Sequence, residues 1–253
     1  MKTGYVGIIG KPNAGKSTIL NALIGEKLAI VTPKAQTTRR RIIGIYSTEN
    51  CQIVFIDTPG YVDNPDRFSE KLVNQAKGTM REVDVNLLIV DATKYMKSLP
   101  DDVLVQIKYC QRPVFLIINK IDKIKKSFIL PIIDFYRNIF EFVEIIPLSA
   151  KYKDGVAILL EKLLEYLPEG EPIYPEDQLS SQPQRMFVEE FIREAIFNNL
   201  SEEIPYSSYV QLNSFSEADT GKVEIQADIF IEKESQKRII IGKSGTMIKT
   251  LRE

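Results

Sequence analysis

The eight residues from Gly10 to Ser17 constrain the fold of this chain most. They read Gly-Lys-Pro-Asn-Ala-Gly-Lys-Ser and match the phosphate-binding pattern GxxxxGK[ST]. An apolar strand candidate, Tyr5–Ile9, precedes them, and a helix pattern, Ser17–Ile24, follows. A glycine-rich turn in this position directs successive backbone N–H groups towards phosphate oxygens. We therefore expect an α/β fold with a nucleotide-phosphate site after its first strand.

Each position of this phosphate loop (Gly10–Ser17) has an expected role. Gly10 and Gly15 allow the backbone angles that the turn needs, and the positive end of the following helix adds to the field. Lys16 is expected to reach the β- and γ-phosphates, and the Ser17 hydroxyl to ligate Mg²⁺. A glycine-rich turn with a surface lysine is the alternative interpretation. The expected phosphate contacts are Gly10, Lys11, Pro12, Asn13, Ala14, Gly15, Lys16, Ser17 and Thr18.

Up to about Leu167, short apolar runs alternate with helix-length segments, which predicts parallel βαβ units. The candidate strands are Tyr5–Ile9, Arg41–Tyr46, Gln52–Ile56, Asn86–Val90, Val114–Ile118 and Val143–Pro147. The second and third are so close in sequence that we expect them to pair antiparallel. Residues 1–167 are thus predicted to form a mostly parallel six-stranded sheet with helices on both faces.

Asp57-Thr58-Pro59-Gly60 ends the third candidate strand. A carboxylate at this end of a strand can hold Mg²⁺, usually through water, and the Gly60 N–H can reach a γ-phosphate. Alone, the pattern D-x-x-G more often marks a solvated turn. Because it follows a phosphate loop, we include Thr58, Pro59 and the next residue, Tyr61, in the nucleotide site.

Two further motifs follow the fifth and sixth candidate strands and point to the base that is bound. Asp122 of Asn119-Lys120-Ile121-Asp122 can accept from the N1–H and the N2 amine of guanine, which adenine does not offer. Asn119 can bond the other edge of the ring, and the Lys120 stem can cover its face. In Ser149-Ala150-Lys151, the Ala150 N–H can donate to guanine O6. A polar helix cap is the alternative for the first motif.

In order and spacing, these motifs resemble those of GTPase domains of the translation-factor class. That resemblance implies a threonine in the first switch that ligates Mg²⁺ and reports the γ-phosphate. Within Lys34–Arg41 we expect it to be Thr38, with Thr37 as second choice and a basic solvated loop as the alternative. The expected catalytic residues are then Lys16, Thr38 and Gly60.

Tyr61 stands where Ras-like proteins carry a water-orienting glutamine, and a phenol is a poor base at neutral pH. The chain therefore resembles GTPases with a hydrophobic residue at this position. Many of them carry an asparagine in the phosphate loop that helps to hold a monovalent cation. Asn13 matches it, so the resemblance implies K⁺ beside the phosphates, although Asn13 can also serve as a turn residue.

Composition limits the remaining possibilities. The chain of 253 residues has no histidine, which excludes Ser-His-Asp and Cys-His catalysis and imidazole-based zinc sites. We therefore expect no protein ionisation near pH 6–7 to control activity. Two cysteines in apolar stretches indicate a reducing compartment. Without a signal peptide pattern or a membrane-length apolar run, a soluble cytoplasmic protein is expected.

The segment 168–184 is rich in proline and acidic residues, which predicts a linker between two domains. Residues 185–253 then show a helix, two alternating strands and a helix–Gly-Lys-Ser-Gly–helix pattern, which resembles a bacterial-type KH domain. Its loop brings a helix pair close to single-stranded RNA backbone, although G-x-x-G alone more often marks a plain turn. The expected RNA contacts are Lys237, Arg238, Ile241, Gly242, Lys243, Ser244, Gly245 and Lys249.

Together with Lys-Ala-Gln-Thr-Thr-Arg at 34–39 and Leu-Pro-Glu-Gly-Glu-Pro at 167–172, these domains resemble the Era family of bacterial GTPases along the whole chain. The resemblance implies GTP and GDP binding with Mg²⁺, slow GTP hydrolysis and binding to the 3′ end of 16S rRNA during maturation of the small (30S) ribosomal subunit. It also implies a cytoplasmic protein, partly at the inner membrane, that requires no stable oligomer. The family's KH domain continues beyond the equivalent of Glu253, so this type II KH-like fold is expected to be incomplete.

Two other functions stay open at this point. Tyr61 is compatible with a nucleotide-controlled RNA-binding assembly factor whose hydrolysis is negligible. A GTPase of another translation-related family can use its C-terminal domain for protein contacts instead of RNA.

Overall fold

The computed structural model describes residues 1–34, 40–60, 78–97, 103–104, 107, 111–201, 203–217 and 223–252. The chain divides into two compact units. The first contains Met1–Ala29 and Ala35–Ser181, and the second contains Ile30–Lys34 and Gln182–Glu253. The boundaries 1–167, 168–184 and 185–253 that the sequence suggests stay predictions.

The first unit contains the six-stranded sheet that the sequence predicts, in the order β2-β3-β1-β4-β5-β6. Only β2 runs antiparallel to its neighbour, β3, and all other pairs are parallel. The prediction of a mostly parallel sheet is therefore confirmed. The strands are β1 (Lys2–Gly10), β2 (Ile42–Thr48), β3 (Cys51–Asp57), β4 (Val85–Asp91), β5 (Val114–Asn119) and β6 (Glu144–Pro147).

Strands β3, β4 and β5 are buried at every position, as expected for parallel strands covered on both faces. The helices of this unit include α1 (Lys16–Ile24), α2 (Ile129–Arg137) and α3 (Val156–Tyr166), and residues 78–82 are also helical. Short 3₁₀ turns occupy Ala92–Lys97, Ile121–Lys123 and Lys126–Phe128.

The register of the sheet determines where the functional motifs meet. Asp57 pairs with Ile8 of β1, and Asp91 at the end of β4 pairs with Asn119 at the end of β5. The carboxyl ends of β3, β1, β4 and β5 therefore lie in sequence along one edge of the sheet. Ligands of open parallel sheets bind at this edge.

The proline-rich segment after α3 lies along the first unit. The backbone N–H of Ile45 in β2 donates to Leu179 O at 2.8 Å. The fully buried Gln52 accepts from the N–H groups of Ile173 and Tyr174 at 2.6 and 2.9 Å. Its amide donates to Tyr174 O at 2.8 Å. The segment thus protects the edge strand β2, which otherwise has unpaired backbone groups.

The second unit follows the predicted order of helix, two strands and two helices. An antiparallel pair, β7 (Tyr209–Glu217) and β8 (Val223–Phe230), packs with the helices around an apolar core. Val31 donates its backbone N–H to Glu194 Oε1 at 3.0 Å, which joins the short segment Ile30–Lys34 to this unit. The helices are α4 (Gln184–Asn199), α5 (Ile204–Ser207), α6 (Glu234–Ile241) and α7 (Thr246–Arg252).

Within the described part of the chain, no helix combines the length and apolarity needed to cross a membrane.

Candidate functional site

The phosphate loop adopts the backbone conformation that its glycines predict. Gly10 has φ 151°, and a Cβ there would lie 2.5 Å from Ile89 O. Gly15 has φ 98° and immediately precedes α1, whose first N–H groups therefore face the loop. Asn13 is exposed and also has a positive φ, 62°. These angles turn the loop back over the start of the helix, as a phosphate cradle requires.

Lys16 is buried at the first position of α1, and its Nζ donates to Lys11 O at 3.1 Å. Burial lowers the pKa of Lys16, and the nearby Asp57 carboxylate opposes this shift. An ammonium at this position can attract an anionic ligand. The other predicted phosphate contacts, Pro12, Ala14 and Thr18, lie on the same loop and first helical turn.

Ser17 and Asp57 are the predicted Mg²⁺ residues, and they are in direct contact. The Ser17 hydroxyl donates to Asp57 Oδ2 at 2.7 Å. The other carboxylate oxygen, Oδ1, is buried and has no hydrogen-bond partner within the described residues. A buried, unsatisfied carboxylate oxygen beside a hydroxyl fits a hydrated Mg²⁺, which binds oxygen ligands and keeps several waters.

Asp57 is a buried titratable group of the site, and the expectation that no protein ionisation near pH 6–7 controls activity stays a prediction. Burial raises the pKa of this carboxyl to about 6, although the Lys16 charge and the Ser17 hydrogen bond oppose the shift. A protein group can therefore titrate near pH 6 within the site itself. No cluster of three or more acidic or cysteine side chains that can hold a metal occurs in the described ranges.

The segment after β3 lies against the phosphate loop. Thr58 donates both its N–H and its hydroxyl to Ile8 O, at 3.3 and 2.9 Å. A Cβ on Gly60 would lie 2.7 Å from the backbone nitrogen of Pro12, so this close approach requires glycine. Pro59 lies between them. Thr38 and Tyr61 lie outside the described residues, and their roles stay predictions.

Asn119 links the phosphate loop to the loop after β6. Its amide donates to Ala14 O at 2.9 Å, and its carbonyl oxygen accepts from the N–H groups of Lys120 and Ala150 at 2.8 and 3.1 Å. The sequence analysis also predicts that Asn119 and the Ala150 N–H contact the guanine ring, and nothing in these contacts tests that prediction. In the structure both groups hold the loops together, and the predicted contact of Ala150 with guanine O6 stays a prediction.

The predicted base-reading carboxylate is exposed and oriented. Ser149 donates its hydroxyl to Asp122 Oδ1 at 2.6 Å. Lys151 follows the buried Ser149 and Ala150 in the loop after β6 and is itself exposed. Lys120, with φ 67°, reaches back so that its Nζ contacts Asn13 O at 2.5 Å and Asp91 Oδ2 at 2.7 Å.

Asp91 is a site residue that the sequence analysis missed. It ends β4, between two strands whose ends carry predicted motifs. Its position at the carboxyl end of a buried strand was a usable signal, since such ends line the ligand crevice.

In the second unit, the predicted RNA-contacting residues lie on one helix–loop–helix. Gly242 and Gly245 have φ 73° and 77°, and a Cβ on Gly242 would lie 2.7 Å from the Met247 nitrogen. The predicted contacts other than these two glycines are exposed: Lys237, Arg238, Ile241, Lys243, Ser244 and Lys249. A groove of about 240 Å³ lies beside the loop, lined in part by Ile229, Ile241 and Ile248. A positive loop next to an apolar groove suits single-stranded nucleic acid.

The first unit is thus a phosphate-loop nucleotide-binding domain of the GTPase class, and the second has the helix–GxxG–helix of a KH domain. Residues 5–120 match the family described as 50S ribosome-binding GTPase, and residues 203–253 match the KH domain family. GTPase Era of Ruminiclostridium cellulolyticum is 43% identical over 250 residues, which cover 99% of this chain and 84% of the relative. GTPase Era of Syntrophus aciditrophicus is 45% identical over 251 residues, which cover 99% of this chain and 82% of the relative.

Two solved structures are similar over nearly the whole chain. Era in complex with MgGDPNP and nucleotides 1506–1542 of 16S ribosomal RNA gives a TM-score of 0.93 at 40% identity, with 100% of this chain and 86% of that chain covered. A variant of Era from Aquifex aeolicus bound to GDP and AlF₄⁻ gives a TM-score of 0.92 at 40% identity. The match covers 99% of this chain and 86% of that chain. The chain belongs to the Era family of GTPases.

The raised pKa of Asp57 predicts a pH-dependent stability in protein freed of nucleotide and Mg²⁺. The pKa rises from 3.8 to about 6 on folding. The stabilisation from protonation is therefore complete below the unfolded value and is lost as the pH rises through about 6. Between about pH 4 and pH 8, wild type should lose up to about 3 kcal/mol relative to Asp57→Asn, which cannot ionise.

Urea unfolding of both proteins across this range measures the difference. The exposed Asp134→Asn variant controls for the loss of one negative charge. A constant difference between wild type and Asp57→Asn at every pH would show that Asp57 does not titrate in this range.

Proposed function

We propose that this protein is a guanine-nucleotide switch that hydrolyses GTP slowly, binds 16S rRNA and assists maturation of the small ribosomal subunit. The observation that carries the proposal is the convergence of a phosphate loop, a hydroxyl–carboxylate pair and an oriented Asp122 at one sheet edge. The similarity to Era solved with MgGDPNP and a 16S rRNA fragment supports both ligands.

Selection of guanine is assigned to Asp122. Its carboxylate accepts from the N1–H and N2 amine of guanine, and the Ser149 hydroxyl fixes the carboxylate plane by occupying Oδ1. Adenine offers neither donor in that arrangement and leaves the carboxylate unpaired, which disfavours ATP. The Lys120 stem covers the face of the base.

Hydrolysis is assigned to positioning and charge neutralisation. Lys16 and the first N–H groups of α1 bind the phosphate oxygens, and the Gly60 N–H and Thr38 complete the γ-phosphate site. Ser17, Thr38 and, through water, Asp57 would hold Mg²⁺, which would supply positive charge beside the phosphates. Tyr61 offers no general base, so the attacking water is oriented and is not deprotonated by a side chain.

K⁺ is proposed as a second cation, with Asn13 as its protein ligand. The support is the position of Asn13, which is exposed in the phosphate loop with a left-handed backbone. A monovalent cation at this point supplies positive charge that other GTPases take from an arginine.

RNA binding is assigned to the loop between α6 and α7. The exposed Lys237, Arg238, Lys243 and Lys249 supply positive charge for phosphates, and the neighbouring apolar groove suits unstacked bases. We further propose a cytoplasmic location with partial association at the inner membrane face, on the family resemblance.

A second candidate is an RNA-binding assembly factor in which nucleotide only fixes the conformation. The residue that favours it is Tyr61, which stands in place of the water-orienting glutamine. Its defining property is the absence of turnover under every ionic condition.

Asp122→Asn should weaken GDP binding by about 100-fold or more, because the variant amide presents a donor to the guanine amine. Xanthosine diphosphate carries a carbonyl at that position and should bind the variant more tightly than GDP does. Calorimetric titration of both nucleotides measures the change, with Asp134→Asn as the matched control. An unchanged guanine preference would refute the assignment of Asp122.

Phosphate release separates the switch from the second candidate. We expect GTP turnover by the wild type to be at least about tenfold faster in K⁺ than in Na⁺, since a cation at Asn13 stabilises developing charge. Asn13→Ala should lose this difference and retain GDP binding. Single-turnover assays with and without a 16S 3′-end RNA make the comparison. No phosphate release in any condition would favour the non-hydrolysing factor.

Lys243→Ala should lower affinity for a 16S 3′-end RNA by about tenfold near 0.1 M salt, because one phosphate contact is lost. The slope of log affinity against log salt should fall by about 0.7. Fluorescence anisotropy measures both quantities. Lys126→Ala, exposed in the first unit, is the control. Equal affinities for Lys243→Ala and wild type would remove the loop from the RNA interface.

A further inference from the structure

The ammonium group of Lys120 is held by two groups from other segments of the first unit. Its Nζ lies 2.7 Å from Asp91 Oδ2 at the end of β4 and 2.5 Å from Asn13 O in the phosphate loop. Lys120 itself directly follows β5. A single side chain therefore connects three segments of the sheet edge.

Asp91 is itself rigidly held. Its second oxygen, Oδ1, accepts from the Thr93 N–H at 2.9 Å and from the Thr93 hydroxyl at 2.7 Å. The residue is only 9% exposed. Burial alone would raise the pKa of Asp91, but the hydrogen bonds from Lys120 and Thr93 outweigh it and hold the pKa below its ordinary value. Asp91 is therefore ionised at neutral pH and paired with Lys120 with little exposure to water.

The orientation of the Lys120 side chain matters because its methylene stem runs from the segment that carries Asp122 to the phosphate loop. Asp122 follows two residues later, and the Lys120 Cε lies 3.9 Å from the point where a Cβ on Gly15 would stand. A lysine without a fixed ammonium samples many rotamers, and ordering it costs free energy when a ligand binds. A fixed ammonium removes that cost before binding.

We propose that Asp91 is a positioning residue for the guanine site, which holds Lys120 extended so that its methylene stem lies along the face of the bound base. The inference rests on the proposed guanine function of Asp122 and Lys120. Asp91 does not touch the nucleotide, and it acts only through Lys120.

A purely structural role is the competing explanation, since Asp91 also receives two hydrogen bonds from Thr93 in the turn Ala92–Lys97. The two explanations differ in their dependence on Lys120. If Asp91 acts through Lys120, removing Asp91 has no further effect once Lys120 is gone. The two explanations also predict different results for a ligand that has phosphates but no base. Only the positioning role requires a base ring against the Lys120 stem, so it predicts no loss of affinity for such a ligand.

A double-mutant cycle on the full chain tests the proposal. GDP dissociation constants and dissociation rates are measured for wild type, Asp91→Asn, Lys120→Ala and the double variant. Asp91→Asn should bind GDP about tenfold more weakly, mainly through faster dissociation. The double variant should match Lys120→Ala within about twofold. Inorganic tripolyphosphate should bind Asp91→Asn as well as wild type.

Two matched variants strengthen the cycle. Asp91→Glu keeps the negative charge and should recover part of the affinity. Thr93→Ala removes only the hydroxyl that orients Asp91 and should weaken GDP binding less than Asp91→Asn does. Thermal unfolding without nucleotide checks that each variant folds, and Thr93→Ala replaces Asp91→Asn in the cycle if the latter does not.

Additive effects of the two substitutions, or an equal loss of tripolyphosphate binding, would overturn the positioning role and leave Asp91 a structural residue. Failure of wild type to bind GDP would instead refute the proposed function itself. The two failures are therefore distinguishable within the same titrations.

Discussion

The whole site depends on one buried amide. The Asn119 side chain contacts the phosphate loop through Ala14 O and the loop after β6 through the Ala150 N–H. A Cβ on Gly15 would lie 2.2 Å from the amide nitrogen of Asn119, so the phosphate loop requires glycine at this position. Because this amide is 2% exposed, leaving its polar groups unpaired is costly. Asn119 therefore links the phosphate loop directly to the loop after β6.

Chemistry at this edge needs no imidazole. The groups proposed to contribute are a buried lysine, a hydroxyl, helix N–H groups and a carboxylate with one oxygen that has no hydrogen-bond partner within the described residues. Phosphoryl transfer to water relies on such positioning and electrostatic groups more than on a protein base. Without nucleotide and Mg²⁺, the site still contains one carboxyl with a raised pKa. Burial brings Asp57 into the range that histidine normally occupies.

Short sequence motifs predict the structural features that depend only on residues close together in the chain. The phosphate loop, the strand ends at Asp57 and Asn119, and the helix–GxxG–helix could all be predicted because each is a short motif after a strand or helix. Contacts between segments that are far apart in the sequence could not be predicted in this way. The pairing of Asp91 with Lys120 and the binding of Tyr174 to Gln52 require knowledge of which strands are adjacent. The raised pKa of Asp57 depends on burial, which sequence does not show.

The central claim is that this sheet edge selects guanine. Calorimetric titration of the wild-type chain with GDP and with ADP, both in Mg²⁺, tests it most directly. We predict that GDP binds at least about 10³-fold more tightly than ADP, because adenine leaves the Asp122 carboxylate without a donor from the ligand. Comparable affinities for the two nucleotides would contradict it.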